Sequence, residues 1–391
     1  MTVLPPAADL LLPNASGRPA HYRLQGDPLP VAAPTRPFPR LALAAAHVVP
    51  RADRPVEPDA PCALDWDATL GFRHWLWDQG FGLAEAMDTA QRGQGLDWAT
   101  AAELIARTMA EARAHPLRPM VVCGAATDHT EPRSMAEVEA AYLHQMEAIE
   151  AAGGRIVLMA SRALPRLGAG RADYERLYRR LIEAAAEPVI LHWLGEAFDP
   201  ALRGYWGESD PDRAMETVLG ILSVAPDRVA GIKLSLLDAA AERRMRARLP
   251  AGVRMFTGDD FNYPELIAGD GTQHSDALLG ILAAISPAAR PALEALGAGD
   301  RAGYDAVLGP TLPLARHLFG APTRYYKAGI ALLAWLNGQQ PAFLLPMNLQ
   351  GCRDIRHYAE LFRRADAAGL LRDPDRAIAR MRALCILHGV G

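Results

Sequence analysis

The two lysines are the most informative residue types in this sequence. Of 41 Lys and Arg residues, only Lys233 and Lys327 are lysines. A buried lysine amine can lose its proton and attack a carbonyl to form a Schiff base, whereas arginine stays protonated. Lys233 lies in an apolar run, residues 229–237, which predicts a short buried strand. Lys233 is therefore a candidate nucleophile, and a structural lysine that is ion-paired or extends its stem to solvent is the open alternative.

Lys327 follows Tyr325 and Tyr326 at the start of an apolar helical segment. Its charge can pair there with a carboxylate while its stem packs on the aromatic rings. We favour a structural role for Lys327 over substrate contact.

Further residues able to take part in chemistry follow apolar runs at intervals along the chain. In a (β/α)8 barrel such residues stand at the carboxyl ends of the strands, where they surround one site. His192 is the candidate proton shuttle, because imidazole exchanges protons near neutral pH. The candidate substrate-binding residues are Asp88, Thr89, Gln91, Asp128, Ser161, Trp193, Glu196, Ser235, Gly258, Asp259 and Asp260.

Several of these residues also have a purely structural interpretation. Asp259 and Asp260 can cap the helix that follows them, and Ser161 can satisfy loop amides. His192 can be a hydrogen-bonded core residue. These alternatives stay open at the level of the sequence.

A divalent-metal site is a second chemical hypothesis. Glu85, Asp128, His192 and Glu196 supply the oxygen and imidazole ligands that suit Mg²⁺, Mn²⁺ or Zn²⁺ in a sugar isomerase or hydrolase. No tight ligand spacing accompanies them. A third hypothesis is a catalytically silent barrel that binds a sugar, because a fold does not guarantee an activity. The lysine hypothesis requires no cofactor.

The elements that must position these residues alternate along the chain. Strand-like apolar runs are separated by amphipathic helical stretches, which is typical of parallel strands with crossover helices. The predicted strands are residues 41–49, 82–87, 120–126, 155–160, 188–193, 229–235, 253–257 and one within 276–282. Eight alternations predict an α/β fold, a (β/α)8 TIM barrel over residues 41–286.

Two extensions flank the predicted barrel. Residues 1–40 are proline-rich and contain apolar pieces on either side of residues 14–17, which predicts a β-hairpin. Residues 287–391 are almost entirely helical in pattern, and we expect them to pack on the barrel.

The overall composition excludes several classes of protein. The net charge is -4 with no long block of one sign, so neither nucleic acid nor an anionic membrane is an expected partner. The four cysteines form no C-x-x-C pair, and no run of about 18 apolar residues is present. The amino terminus lacks the pattern of a secretory signal. We therefore expect a cytoplasmic enzyme that acts on a small molecule.

The sequence resembles the dihydrodipicolinate synthase and N-acetylneuraminate lyase superfamily, specifically an uncharacterised bacterial branch of it. The resemblance rests on Gly-Ile-Lys-Leu-Ser at residues 231–235, Pro-Val-Ile-Leu-His at 188–192, Gly-Asp-Asp at 258–260, residues 121–125 with the helix ending at 151–153, and residues 322–333. These pieces occur in the family's order and span residues 41–338.

The resemblance implies a class I aldolase-type site in which Lys233 forms an imine with a 2-oxo acid or related ketone. It also implies a homodimer or homotetramer. Two positions depart from the family pattern: His192 stands where the family has a tyrosine, and Met-Asp-Thr-Ala-Gln at 87–91 replaces a Gly-Thr-Thr-Gly-Glu stretch that holds a carboxylate. Asp88 there disfavours an anion and favours the hydroxyls of an oxidised sugar.

Overall fold

The computed structural model describes residues 9–57 and 60–390. These residues form ten strands and fourteen helices. The strands are β1 Asp9–Pro13, β2 Pro19–Arg23, β3 Ala42–Ala45, β4 Gly82–Glu85, β5 Val121–Ala125, β6 Arg155–Leu158, β7 Val189–Leu194, β8 Val229–Ser235, β9 Arg254–Thr257 and β10 Asp276–Leu279. The helices are α1 Trp66–Trp77, α2 Trp98–Ala114, α3 Met135–Ala151, α4 Ala163–Arg166, α5 Arg171–Ala184, α6 Pro211–Val224, α7 Ala239–Arg246, α8 Tyr263–Ala268, α9 Leu282–Gly297, α10 Arg301–Leu308, α11 Leu312–Leu318, α12 Lys327–Leu336, α13 Ile355–Ala367 and α14 Pro374–Leu387.

Strands β3 to β10 form a closed parallel barrel. Each strand pairs with the next along the chain, and β10 returns to pair with β3. Helices connect the strands, so the predicted (β/α)8 TIM barrel is confirmed. The observed strands are mostly shorter than the predicted ones, and β8 matches its predicted range.

Side chains from alternate strand positions fill the barrel interior. The buried interior cluster consists of Leu43, Ala45, Ala84, Met87, Val122, Ala126, Val157, Met159, Ile190, Phe256 and Leu278. Successive residues of a strand point to opposite faces, so the parity of these residues identifies which others face inward.

Local capping signals set the helix boundaries. Asp97 accepts a hydrogen bond from the Thr100 amide at the start of α2, and Asp210 caps α6, whose first residue is Pro211. Gly153, with φ of 79°, follows α3, where the sequence predicts a helix end. Because all eight barrel strands are parallel, the strand-to-helix loops lie at one end of the barrel.

The predicted hairpin is also confirmed. Strands β1 and β2 pair antiparallel, and the Asn14 side chain accepts hydrogen bonds from the amides of Ser16 and Arg18 in the turn. The part of this extension before residue 9 lies outside the described residues. Helices also fill most of the carboxyl-terminal region.

The chain divides into two compact units. One comprises Arg40–Ala46 and Phe81–Gly280 and contains the whole barrel sheet; the other comprises the described parts of Met1–Pro39, His47–Gly80 and Ile281–Gly391. The three-part division predicted from the sequence, with boundaries at 40 and 286, stays a prediction.

Candidate active site

Lys233 faces the interior of the barrel. On β8 it is in register with His192 of β7 and with Phe256 of β9. Register partners in a parallel ladder point to the same face, and Phe256 belongs to the interior cluster. The residue is only 7% exposed. Its amine is therefore held among interior side chains rather than reaching solvent along its stem.

Gly258 makes room for the lysine side chain. A Cβ atom at this position would lie 2.9 Å from Lys233 Cε, 2.2 Å from Ser235 Oγ and 2.8 Å from the Leu234 carbonyl oxygen. Real Cβ atoms do not approach other atoms so closely. Because Gly258, a predicted site residue, has no side chain, the Lys233 stem and the Ser235 hydroxyl can occupy the space beside it.

Burial and two carboxylates determine the charge state of Lys233. Desolvation lowers the pKa of its amine, while the negative charges of Asp88 and Asp260 oppose that shift. The net direction is downward, towards the neutral amine that nucleophilic attack requires. Asp88 and Asp260 are thus placed to stabilise a positive charge at the Lys233 nitrogen.

His192 is fully buried beside the lysine. Its Nε2 atom is 3.2 Å from Ser235 Oγ, and its Nδ1 atom lies 3.9 Å from Asp88 Oδ2 with no hydrogen-bond partner among the described residues. Burial, and then the charge of Lys233, lower the pKa of His192 well below its usual value. The imidazole is therefore neutral and keeps one ring nitrogen available for a substrate atom.

Arg92 fixes the loop that carries Asp88, and the sequence analysis did not identify it. Its Nη1 atom donates to the carbonyl oxygens of Ala86 (3.2 Å) and Gly124 (3.0 Å), which joins the loop to β5. The guanidinium carbon lies 5.1 Å from the centre of the Trp98 ring. The side chain is 1% exposed. A buried, multiply bonded arginine in this place makes the position of Asp88 well defined.

Asp128 is the charge partner of Arg92. Its two oxygens accept from Arg92 Nε at 2.9 Å and Nη2 at 2.5 Å, and Gln145 donates a further hydrogen bond. Although burial acts in the opposite direction, these contacts hold the pKa of Asp128 below its ordinary value. Asp128 is therefore ionised, and the charge of Arg92 balances its charge in the wall of the site.

A cavity of about 690 Å³ opens at the carboxyl ends of β5, β6 and β7. Ala126 and Met159 of the interior cluster form part of its lining, and Leu194 lies two residues beyond His192 on the same strand face. Asp88 also lines it. Asp88 therefore borders both the lysine–histidine pair and a space large enough for a small-molecule substrate.

Comparison with known proteins identifies the family. A family model described as "Protein of unknown function (DUF993)" matches residues 10–390. The chain belongs to this family. No curated protein matches the sequence.

Solved structures similar in fold to this chain include dihydrodipicolinate synthases and their relatives. A putative dihydrodipicolinate synthetase from Pseudomonas aeruginosa is 18% identical, with a TM-score of 0.60, over 82% of this chain and 99% of the other. A prophage protein of the dihydrodipicolinic acid synthase family from E. coli K12, in complex with pyruvate, is 16% identical, with a TM-score of 0.61, over 90% and 99% of the two chains. The resemblance stated from the sequence is confirmed for the fold.

A third similar structure is a chloride-inhibited dihydrodipicolinate synthase from Acinetobacter baumannii, complexed with pyruvate. It is 16% identical, with a TM-score of 0.59, over 84% of this chain and 99% of the other. In the present protein, no helix among the described residues combines the length and apolarity needed to cross a bilayer.

The remaining predicted site residues make contacts within their own loops or line the cavity. Gln91 donates to the Gln94 carbonyl within its own loop. Thr89, two residues earlier in the same loop, is buried. Ser161 lines the cavity, and its hydroxyl is 2.6 Å from that of Thr127. Asp259 accepts from the amides of Phe261 and Asn262 after β9, as expected for a turn or capping residue.

Trp193 and Glu196 are not brought to the lysine. Because His192 points inward, Trp193 points to the opposite face of β7, where its ring lies 6.2 Å from that of Trp206. Glu196 is half exposed and pairs with Arg203 at 3.0 Å. Neither residue forms a wall for a substrate at the lysine.

The residues of the metal hypothesis are also separated. Glu85 accepts from the Thr108 hydroxyl at 2.7 Å on the outer side of β4, Asp128 is paired with Arg92, and Glu196 is in its exposed loop. Within residues 9–57 and 60–390, no three His, Cys, Asp or Glu side chains are grouped to hold a metal ion. The geometry therefore gives this set no common centre.

Lys327, the other lysine, belongs to the second compact unit. Its Nζ atom donates to the Arg324 carbonyl at 3.2 Å and lies 5.1 Å from the centre of the Tyr326 ring. These contacts agree with the structural role favoured from the sequence.

Proposed function

We propose that this protein is a Schiff-base-forming lyase or aldolase that acts on a small oxo acid or an oxidised sugar. The observation that carries the proposal is the position of Lys233: its amine is buried inside the barrel, its pKa is lowered, and it lies beside the neutral imidazole of His192. Desolvation of a lysine is a known route to a nucleophilic amine near neutral pH.

The proposed reaction begins at the Lys233 nitrogen. The neutral amine attacks the substrate carbonyl carbon, a carbon–nitrogen bond forms, and the carbonyl oxygen leaves as water with the two amine protons. The imine nitrogen then takes up one proton from solvent. The resulting protonated imine withdraws electrons from the neighbouring carbon, so a bond to that carbon can break and leave its electron pair as an enamine. Asp88 and Asp260 stabilise the positive nitrogen through their charges.

His192 is the proposed proton shuttle. Its unpartnered Nδ1 atom can exchange a proton with the substrate, while Ser235 holds Nε2. The low pKa of His192 favours a base that takes up a proton only as charge develops on the substrate. A histidine here supplies the acid–base step at the position where the superfamily has a tyrosine.

The fold neighbours support an oxo acid as one part of the substrate. Two of them are complexes with pyruvate, a 2-oxo acid. Asp88 lies near the lysine, and its negative charge disfavours a second anionic group in contact with it. A substrate with hydroxyls beyond its carbonyl carbon fits both points.

Reductive trapping tests the proposal directly. Purified protein is incubated with pyruvate and a panel of oxidised sugars, reduced with cyanoborohydride and analysed by mass spectrometry with peptide mapping. We expect a covalent adduct on Lys233 in the wild type and none in Lys233→Arg, which keeps the charge and removes the nucleophile. An adduct of equal yield in the variant, or none with any carbonyl compound, contradicts the proposal.

We also propose a reducing, cytoplasmic setting and a homodimer or homotetramer. The free state of Cys62, Cys123, Cys352 and Cys385 supports the first point. Light scattering on the purified protein measures the second.

A further inference from the structure

A second cavity lies at the amino-terminal ends of β9 and β10, at the opposite end of the barrel from the loops that carry Asp88 and Asp260. Its volume is about 240 Å³. Arg254 and Asp276, the first residues of the two strands, line it together with Arg246 of α7. Because the catalytic groups of a (β/α)8 barrel stand at the carboxyl ends of its strands, this cavity is separate from the candidate active site.

Arg246 is buried in the cavity wall with acceptors for only part of its guanidinium. The residue is 7% exposed. Its Nη1 atom donates to Ser275 Oγ at 3.1 Å and to the Leu266 carbonyl at 3.4 Å, and Nη2 lies 3.5 Å from Asp270 Oδ2. The last two distances exceed the ordinary range, and Nε has no hydrogen-bond partner among the described residues. A guanidinium has five N–H donors, so this one can take a further acceptor.

The carboxylates nearest Arg246 neutralise it incompletely. Asp270 is 56% exposed, and its Oδ1 atom accepts from the amides of Thr272 and Gln273 in its own turn. Glu242 is linked to Arg246 through the Ser275 hydroxyl. Burial is the main cause that raises the pKa of Glu242 to about 7, so this carboxyl is ionised only in part at neutral pH. The buried cation therefore keeps much of its charge uncompensated.

Further positive charge surrounds the same space. Arg254 is 54% exposed and donates to Asp276 at 2.8 Å. Asp276 is 3% exposed, and its other oxygen accepts from a backbone amide, so both of its oxygens are already hydrogen-bonded. Burial is the main cause that lowers the pKa of His274, which also lines the cavity. Against the charge of Asp276, three arginines lower that pKa further: Arg40, Arg246 and Arg254. This excess of positive charge favours an anion.

The donors reach the cavity from several directions. Arg246 comes from α7, Arg254 from β9, and Gln273 and His274 from the loop before β10. A planar carboxylate offers two oxygens, whereas a phosphate group offers three in different directions. The volume equals that of roughly eight water molecules at about 30 Å³ each, which leaves room for a few carbon atoms beside a phosphate. The apolar part of the lining consists of Leu249, Pro250, Val253 and Met255.

We propose that this cavity binds the phosphate group of a small phosphate compound. Arg246 and Arg254 supply the charge, and the Gln273 amide and the His274 ring donate further hydrogen bonds. The apolar part of the lining contacts any carbon atoms attached to the phosphate. The site is independent of the proposed imine chemistry, because its ligand binds at the other end of the barrel from Lys233.

Calorimetric titration tests the class of ligand. The whole protein is titrated with inorganic phosphate, with glycerol 3-phosphate and with acetate at one pH and one ionic strength. We expect the tighter of the two phosphate compounds to have a Kd at least about tenfold below that of acetate, equivalent to about 1.4 kcal/mol. Tighter binding of inorganic phosphate identifies the free ion as the ligand, and tighter binding of glycerol 3-phosphate identifies an ester. No binding of either compound, or equal binding of acetate, overturns the inference.

A charge placed in the cavity locates the site. Gln273 is an exposed residue of the lining, so Gln273→Glu adds a carboxylate without disturbing the core. We expect phosphate binding to weaken at least about tenfold, because the new carboxylate repels the anion and takes the arginine donors itself. Gln25→Glu makes the same change at an exposed residue of the amino-terminal extension and should bind phosphate as the wild type does.

Removal of a charge gives an independent check. In Arg254→Gln the amide can still donate to Asp276, but the cation is lost, so we expect phosphate binding to weaken at least about fivefold. The matched control is Arg248→Gln, at a half-exposed arginine that pairs with Glu216 and does not line the cavity. Its binding should stay within about twofold of the wild type. Binding of wild-type strength in both Gln273→Glu and Arg254→Gln would place the phosphate elsewhere and overturn the inference.

Discussion

Lys233 and His192 lie opposite each other on β8 and β7, and burial lowers the pKa of both side chains. The charge of Lys233 further disfavours a proton on His192. The imidazole of His192 therefore stays a neutral base at neutral pH, beside the carbonyl-reactive nitrogen. The two side chains are neighbours because their positions are direct register partners in the parallel ladder.

We expect Asp88→Asn to shift imine formation to lower pH. The negative charge of Asp88 raises the pKa of Lys233 against the larger effect of burial, so its removal lowers that pKa further. The rate of cyanoborohydride adduct formation falls in acid as the amine is protonated, and the midpoint of that fall should shift to lower pH by roughly 1 unit. The measurement is the adduct rate with pyruvate at a series of pH values.

A second carboxylate provides the comparison. Asp260→Asn should shift the same limb in the same direction but by less, because the effect of Asp260 on Lys233 is the smaller of the two. A shift to higher pH in the Asp88 variant would show that its charge does not act on the amine as described.

We expect Gly258→Ala to impair the site by steric overlap. The new methyl group would stand 2.2 Å from Ser235 Oγ and 2.9 Å from Lys233 Cε, so both side chains must move. Overpacking of this kind costs about 1–3 kcal/mol of stability. The adduct rate should fall at least about tenfold. Chemical unfolding and adduct formation measure the two effects.

Gly71→Ala is the matched control for that substitution. Gly71 lies within α1, and a Cβ atom there meets nothing within 4 Å. Replacement of a helical glycine by alanine stabilises a protein by about 0.5–1 kcal/mol. Adduct formation should be unchanged in this variant, and a comparable loss in both variants would rule out the steric explanation at Gly258.

The fold was predictable because each level of the sequence agrees with it. Apolar runs and amphipathic helices alternate eight times, and caps such as Asp97 mark the helix starts. The strand ends were less accurate. Residues 46–49 are buried and, apart from His47, apolar like β3, yet they have no place in the barrel ladder. Hydrophobicity reports burial, whereas a strand ends where its partners end.

The site was predictable in part, for reasons of periodicity. The strand-end rule and the alternation of strand faces bring Lys233, His192 and Ser235 together from sequence alone. The same alternation predicts that Trp193, next to the inward-facing His192, lies on the outer face and outside the site. Arg92 gave no local signal, because its partners are carbonyl groups and an aspartate 36 residues away. Such long-range contacts become visible only in three dimensions.

We expect Arg92→Met to destabilise the protein strongly. The substitution leaves Asp128 without its cation and the carbonyls of Ala86 and Gly124 without their donor. Breaking a buried ion pair by removing one partner costs about 3–5 kcal/mol. The double variant Arg92→Met/Asp128→Asn should lose less than the sum of the two single variants, because the pair is coupled. Chemical unfolding of all three measures this.

An exposed ion pair controls for the loss of charge. Arg107 and Glu103 on α2 are about half exposed, and Arg107→Met should change stability by less than about 0.5 kcal/mol. If Arg92→Met proves equally harmless, Arg92 does not hold the loop that carries Asp88.

Glu242 predicts a pH dependence of stability outside the reacting groups. It is a buried residue of α7 whose Oε1 accepts from the Ser275 hydroxyl at 2.7 Å. Burial is the main cause that raises the pKa of Glu242, from its ordinary value of 4.5 to about 7. The folded protein therefore favours the protonated form. Its contribution to stability is present below about pH 4.5 and is lost as the pH rises through 7, by at most about 3 kcal/mol.

Glu242→Gln should remove that part of the pH dependence. The amide keeps an oxygen to accept from Ser275 and has no charge to bury, so we expect a gain in stability of up to about 3 kcal/mol at pH 8 and of less than about 1 kcal/mol at pH 5. Thermal unfolding midpoints between pH 4.5 and 8 give the comparison. Glu216→Gln, at an exposed carboxylate paired with Arg248, should lose stability with rising pH as the wild type does, because Glu242 is still present. A variant Glu242→Gln whose stability falls with pH as steeply as the wild type would show that the buried carboxylate is not the group responsible.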